Sequence, residues 1–185
     1  AINGISPTYN LYPGGGSVTG IALGEYNFTN LEEIVLPLSV TRIYRLGDAK
    51  HLHKINLSNV THIGGDFHYL TPGSSTPSTG WGSTEIFANN TDLKKVDLYS
   101  IVYLCNGAFK NTGIDSLILY QNFSPLDSRK VPTTNSQFKG CQDLEVITLE
   151  DSVTVIPSQC FEGCTSLTKV NGFENITTFC EKAFN

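Results

Sequence analysis

The residues of this chain with the most versatile chemistry are its five cysteines and four histidines. The cysteines lie at positions 105, 141, 160, 164 and 180, and the histidines lie at positions 51, 53, 62 and 68. Thiols and imidazoles are common zinc ligands, and each can take part in nucleophilic catalysis beside a suitable partner. Either kind of site requires that several such groups converge in space, so their spacing is the first test.

The spacing does not favour a metal site or a nucleophilic site. A zinc site needs four converging ligands, and Cys160 and Cys164 supply only two. All four histidines precede residue 69, whereas the cysteines begin at residue 105, so no motif joins a thiol to a histidine base. The run Gly14–Gly16 lacks the flanking strand, helix and lysine of a phosphate-binding loop. We therefore expect no catalytic residues, no cofactor and no metal, and no enzymatic activity.

Charge and hydropathy exclude two further classes. The chain has 12 Lys and Arg against 17 Asp and Glu, a net charge of −5, and no basic run that would attract nucleic acid. The longest apolar run, from Ile101 to Cys105, is far shorter than the roughly 20 residues that cross a bilayer. We expect no nucleic-acid partner and no membrane-spanning segment.

A repeat organises the sequence. Phe138, Phe161 and Phe184 follow one another at equal intervals of 23 residues. Each unit also contains a triplet of aliphatic residues, in which the second lies three positions after the first and the third lies two positions after the second. The copies are Leu31/Ile34/Leu36, Leu52/Ile55/Leu57, Leu93/Val96/Leu98, Ile114/Leu117/Leu119, Leu144/Ile147/Leu149 and a last one that starts with Leu167 and Val170. A second aliphatic pair follows most triplets, for example Val60/Ile63 and Val153/Ile156, but the fourth copy lacks it.

Each triplet ends in an alternation of period two, which is typical of a short strand. One unit cannot bury its apolar face, whereas stacked units form a continuous core and a parallel sheet. No window keeps a helical period, and we expect at most one helical turn before each Phe. The sequence predicts a repeat solenoid of about six to seven units in a single domain, residues 1–185, that begins and ends within a repeat.

The repeat also suggests a role for the cysteines. Cys141 and Cys164 occupy the same position of successive units, so they should be near enough for a disulfide. Ala49 and Thr112 occupy that position in other units, which indicates packing by small side chains. We expect packed free thiols, with a Cys141–Cys164 disulfide as the alternative.

Two loop insertions, near residues 64–86 and 121–137, interrupt the array. Insertions in repeat proteins often carry binding sites. The first contains Phe67, Tyr69 and Trp81, and such aromatic residues either contact a partner or pin a loop to its own scaffold. Both roles remain open for these three residues.

The residues on either side of the middle aliphatic position should point outwards in two columns. The first column holds Glu33, Lys54, Lys95, Ser116, Val146 and Lys169, and the second holds Val35, Asn56, Asp97, Ile118, Thr148 and Asn171. Mixed charge and the lack of aromatic residues favour a solvated face. The alternative is a protein-contact surface with Lys54, Lys95, Asp97 and Lys169 as contacts, since solenoid sheets often serve that purpose.

The segment from Val153 to Val170 resembles the BspA-type leucine-rich repeat, in which an Ala-Phe pair is followed by cysteine and then by the aliphatic triplet. The pairs Ala108-Phe109 and Ala183-Phe184 match that motif, and the resemblance extends over roughly residues 18–185 apart from the insertions. It implies a right-handed leucine-rich-repeat array that is secreted or attached to the cell surface. It also implies a role in adhesion, a host extracellular or matrix protein as partner, a monomeric state and no catalytic motif.

Two other functions remain open. One is a carbohydrate-binding or accessory domain of a secreted hydrolase, for which Tyr9, Tyr12, Phe67, Tyr69 and Trp81 would supply exposed rings. The other is a structural stalk that holds another domain away from the cell.

Overall fold

The aliphatic repeats form short parallel strands that pair from one unit to the next. The computed structural model describes residues 20–22, 28–46, 49–64, 85–123 and 135–185. The strands in these ranges are β1 (Gly20–Ala22), β2 (Glu33–Ile34), β3 (Arg42–Arg45), β4 (Lys54–Ile55), β5 (His62–Ile63), β6 (Tyr103–Leu104), β7 (Ser116–Leu119), β8 (Val146–Leu149), β9 (Val155–Ile156), β10 (Lys169–Asn171) and β11 (Thr178–Phe179). The described residues contain no α-helix and one 3-10 helix, Phe173–Asn175.

The triplets form the first set of strands. Strand β2 pairs with β4, and β8 pairs with β7 on one side and β10 on the other, always in parallel. Leu117 is opposite Ile147, which is opposite Val170, so equivalent repeat positions meet across these three strands. The third triplet, residues 93–98, forms no strand. Their side chains join the core, because alternate residues of a strand point to the same face.

The second aliphatic pair forms a second set of strands, which the sequence did not indicate. Strands β1, β3, β5 and β6 form one parallel sheet in that order, and β9 pairs with β11. Ile43, Ile63 and Leu104 lie opposite one another and are fully buried. The prediction of parallel short strands with almost no helix is confirmed, but the strands form two separate sets.

The repeat aromatic residues form a stack that we call the phenylalanine ladder: Phe87, Phe109, Phe138, Phe161 and Phe184. Neighbouring ring centroids are 5.0, 5.6, 5.7 and 5.1 Å apart, and the ring planes are within 22° of parallel. A backbone hydrogen bond accompanies each step, such as the one that the Phe109 N–H donates to the Gln137 carbonyl over 2.8 Å. The ladder therefore joins successive units along a third line, separate from the two sets of strands.

A tight turn carries each ring, which agrees with the expectation of at most one helical turn there. The residue two positions before the ring is left-handed in every unit of the ladder: Glu85, Gly107, Ser136, Gln159 and Lys182. The residue two positions after it is left-handed too: Asn89, Asn111, Gly140 and Gly163. A left-handed residue interrupts right-handed helical geometry, so no helix can extend across this position. Asn and Gly tolerate that conformation best, which accounts for the residues found after the ring.

In the fourth unit, the side-chain amide of Asn122 takes the place of a missing strand. In regular units one carbonyl accepts two successive N–H groups of the next rung, as Thr154 O does from Thr177 and Thr178 at 2.9 and 3.1 Å. The fourth unit lacks the second aliphatic pair, and there Asn122 Oδ1 accepts the Thr154 and Val155 N–H groups, both at 3.0 Å. Asn122 Nδ2 donates to Thr154 Oγ1 at 2.8 Å. The side chain thus continues the hydrogen-bond ladder where the strand pattern is broken.

The last rung departs from the pattern of buried repeat positions. Phe179 corresponds to Ile156, which is fully buried, yet half of Phe179 is exposed. Leu167, which we expected to point inwards, is only partly buried. Both residues lie on the rung at the C-terminal end of the described array, where no further described rung covers them.

Candidate interaction surfaces

The outward columns lie on the surface, as the strand alternation predicted. Lys54, Lys95, Asp97 and Lys169 are all exposed. Lys54 Nζ lies 2.7 Å from Glu33 Oε1 on the neighbouring rung, and this contact lowers the pKa of Glu33. An exposed ion pair of this kind contributes little to stability. The four residues do not converge on one site, because they are distributed over three different rungs; their role as contacts stays a prediction.

The aromatic residues named in the first insertion cannot be compared with the structure. Phe67, Tyr69 and Trp81 lie outside the described residues, as do Tyr9 and Tyr12. Their proposed roles stay predictions.

A pair of contacting tyrosines, Tyr99 exposed and Tyr120 partly buried, is the main surface feature that the repeat pattern did not reveal. The rings of Tyr99 and Tyr120 have centroids 5.1 Å apart and meet edge to face at 81°. Tyr99 is 68% exposed, and Ile118, two residues before Tyr120, is 42% exposed. Tyr99 and Tyr120 each follow the last leucine of a triplet, and their units are successive. This shared position in the repeat could have predicted from the sequence that the two rings are neighbours.

Two acidic residues lie next to this pair, one on the same unit as Tyr99 and one on the unit after Tyr120. Asp97 Oδ1 accepts the Tyr99 N–H at 3.0 Å, which holds the carboxylate beside the first ring. Glu150 follows Leu149, the register partner of Leu119, and its N–H donates to the Leu119 carbonyl at 2.9 Å. Glu150 is therefore the neighbour of Tyr120 on the next rung. We call Tyr99, Tyr120, Ile118, Asp97 and Glu150 the tyrosine patch.

The described histidines take part in isolated contacts. His51 Nδ1 lies 2.9 Å from Asp92 Oδ2 on the surface. His62 stacks on Tyr103 with centroids 6.0 Å apart, and burial, with a smaller effect of Arg42, lowers the pKa of His62. Within the residues that the structure describes, no three histidine, cysteine or acidic side chains come together as metal ligands.

The cysteines are free thiols that fill repeat positions. Burial raises the pKa of Cys105 to about 11 and that of Cys164 to about 12, and it also raises the pKa of Cys141 and Cys160. Such thiols stay protonated at neutral pH and are poor nucleophiles.

The position shared by Cys141 and Cys164 does more than fill space. Cys141 Sγ donates to the Phe109 carbonyl at 3.1 Å, and Cys164 Sγ donates to the Phe138 carbonyl at 3.3 Å. Asn90, in the same position, donates from Nδ2 to the Ala49 carbonyl at 2.9 Å. Each of these three side chains satisfies a carbonyl of the preceding unit, which the expectation of simple packing had missed. In the same position, Thr112 donates instead to the Phe109 carbonyl of its own turn.

A protein-family model matches the chain. It describes the BspA type leucine rich repeat region, which agrees with this architecture. The model matches in six copies over residues 19–130 and 133–185. The chain belongs to the BspA-type leucine-rich repeat family. The expectation drawn from the Phe-x-x-Cys-x-x-Leu motif is thereby confirmed. No curated protein matches the sequence.

Two solved structures resemble the chain. A leucine-rich repeat protein of T. pallidum is 16% identical, with a TM-score of 0.51, over 89% of this chain and 74% of that one. A leucine-rich repeat protein of Bacteroides ovatus is 19% identical, with a TM-score of 0.46, over 83% of this chain and 46% of that one. At 16% identity the first likeness shows the fold alone. In the described ranges, no helix has the length and apolar character to cross a bilayer.

Proposed function

We propose that this chain is an extracellular or cell-surface interaction domain that binds a protein partner and catalyses no reaction. Leucine-rich repeat domains generally serve in protein binding, and BspA-type members are typically surface or secreted proteins. The observation that carries the proposal is an aromatic pair at the surface, the exposed Tyr99 against the partly buried Tyr120, held on a hydrogen-bonded repeat frame. Tyrosine is enriched among the residues that dominate the binding energy of protein interfaces.

The thiol chemistry supports the absence of catalysis. The four cysteines with a raised pKa are protonated at neutral pH, and three of them are buried, so they are unsuited to nucleophilic attack. We also propose that the whole chain, residues 1–185, folds as one monomeric domain. A single sedimenting species of the monomer mass, with one cooperative unfolding transition, is the expected result.

A binding panel tests the proposed function. The chain is immobilised and exposed to purified extracellular-matrix proteins and, in parallel, to a panel of oligosaccharides. We expect saturable binding to at least one protein and none to the sugars, and the heat-unfolded chain serves as the control. Saturable binding to an oligosaccharide would instead support the carbohydrate-binding alternative, and an absence of any binding would support the structural stalk.

The geometry of the exposed rings favours the protein partner over the sugar. Carbohydrate rings stack on flat aromatic faces, whereas Tyr99 and Tyr120 meet at 81° and form a corner. A corner with bordering carboxylates accommodates a protruding side chain better than a flat sugar ring.

The first insertion supplies a second candidate contact, and its only tryptophan reports on it. Emission from Trp81 that is red-shifted and readily quenched in the free protein would support a contact role for Phe67, Tyr69 and Trp81. Blue-shifted emission that resists quenching would mean that the loop is pinned to its own scaffold.

A further inference from the structure

We infer that the tyrosine patch binds a basic segment of the protein partner, with an arginine or lysine side chain against the tyrosine rings and its charge beside Asp97 and Glu150. This inference rests on the proposed function and names the chemistry of the partner. It is carried by three features of the patch: the exposed Tyr99 ring, carboxylates that form no ion pair with any described residue, and a hydrogen-bonded support.

The ring faces are available to a cation. In an edge-to-face pair, the ring that contributes its edge keeps both of its faces clear of its partner. Tyr99 is 68% exposed, so its ring is accessible from solvent, whereas Tyr120 is partly buried beside it. A guanidinium or ammonium group over a tyrosine face is attracted by the negative potential of the ring. Ile118, also exposed, adds apolar surface for the methylene groups of such a side chain.

Among the residues that the structure describes, no cation pairs with the carboxylates of the patch. The lysines at positions 54, 94, 110 and 139 pair with other acidic side chains. In the part of the chain that the structure describes, neither Asp97 nor Glu150 forms an ion pair. Lys95 is exposed as well and lies two residues before Asp97 on the same outward face, so it offsets part of the negative charge on that side of the patch. The net charge of −5 adds a general attraction for a basic partner.

The support of the patch is rigid. Tyr99 is fixed by the hydrogen bond from its N–H to Asp97, and Gln121, next to Tyr120, donates from Nε2 to the Ile101 carbonyl at 2.9 Å. Strands β7 and β8 hold Tyr120 and Glu150 in register. A preorganised surface loses little conformational entropy when a partner binds.

Other occupants fit less well. Anionic lipid headgroups would be repelled by Asp97 and Glu150, and an acidic peptide would be repelled for the same reason. A purely apolar segment would leave both carboxylates without a partner. The basic segment is the occupant whose charge and shape complement every side chain of the patch.

The test uses a fluorescein-labelled peptide of three Arg-Gly-Leu repeats and the full chain, with binding followed by fluorescence anisotropy. A matched peptide has citrulline in place of arginine, which keeps the shape but removes the charge. We expect the arginine peptide to bind at least about tenfold more tightly than the citrulline peptide, and salt to weaken it. Vesicles that contain anionic phospholipid are expected not to bind.

Protein variants locate the site. Tyr99→Ala should weaken the arginine peptide by about tenfold, and Asp97→Asn or Glu150→Gln should each weaken it severalfold. Leu38→Ala is the matched control, because Leu38 is 78% exposed and lies on a rung distant from the patch. Circular dichroism and the thermal midpoint verify that each variant remains folded.

Several results would overturn the inference. These are equal binding of the two peptides, an unchanged affinity of the Tyr99→Ala variant, an equal loss with Leu38→Ala, and binding to the anionic vesicles. If the panel finds a protein partner and the arginine peptide does not bind, the inference fails and the proposed function stands. If the panel finds no protein partner, the proposed function fails whatever the peptide does.

Discussion

The phenylalanine ladder and the tyrosine patch are both built from contacting aromatic rings on the same repeating frame, but they differ in exposure. The Phe109, Phe138 and Phe161 rings are almost completely buried and stack nearly parallel, with a regular backbone hydrogen bond at each step. The Tyr99 and Tyr120 rings meet edge to face at the surface and touch only in one pair of units.

The difference shows that position in the repeat decides the role of an aromatic residue. A ring between two left-handed turn residues recurs in every unit of the ladder and contributes to the core. The residue just after the triplet is Pro37 or Ser58 in the first two units and Tyr99 or Tyr120 in the next two, so packing does not require an aromatic ring at this position. The ladder should therefore govern stability and the patch should govern recognition, and the variants below test that division.

Phe138→Ala should have the largest effect on stability. Phe138 is fully buried between two stacked rings, so its removal leaves a cavity in the middle of the ladder. We expect the free energy of unfolding to fall by about 3–5 kcal/mol in urea denaturation. A loss below about 1 kcal/mol would contradict the structural role of the ladder.

Asn122→Ala should have an intermediate effect, because it leaves two backbone N–H groups of the next unit without their acceptor. We expect a loss of about 1–3 kcal/mol in the same denaturation experiment. Asn122→Asp keeps the acceptor oxygen and should cost less. Asn59→Ala is the control, since Asn59 is exposed, and an equal loss for this variant would refute the role of Asn122.

The buried thiols should make the fold sensitive to alkaline pH. The folded protein keeps the Cys105 proton up to about pH 11, whereas the unfolded thiol loses it near 9.0, so between these values the unfolded state binds fewer protons. Stability should therefore fall as the pH rises through this window and be unaffected below it. The thermal midpoint of wild type should drop more steeply above pH 9 than that of Cys105→Ala, and parallel curves would contradict the burial of this thiol.

Tyr99→Ala should have the smallest effect on stability. The side chain is mostly exposed, so we expect the free energy of unfolding to change by no more than about 0.5 kcal/mol. Calorimetry or urea denaturation measures this directly. A loss comparable to that of Phe138→Ala would mean that the patch belongs to the core, and the distinction between the two regions would no longer hold.

Much of the fold was predictable because the core residues of a repeat recur at regular intervals in the sequence. The equal intervals between Phe138, Phe161 and Phe184 located the ladder, and the aliphatic triplets located the first set of strands. The second set of strands was missed because a pair such as Val60 and Ile63 is too short to show a strand period. Its pairing becomes visible only when units are stacked.

The sequence by itself determined most of the buried residues, because burial follows from the alternation and the period of apolar side chains, with exceptions such as Leu167 and Phe179 on the last rung. The tertiary structure decided how the irregular positions are used. Asn122 acquires its two backbone donors only because the next unit lies against it, and Tyr99 acquires Tyr120 as a neighbour through stacking of their units. Contacts between residues in different units depend on register and on the geometry of the turns, and a pattern along one chain does not encode these distances.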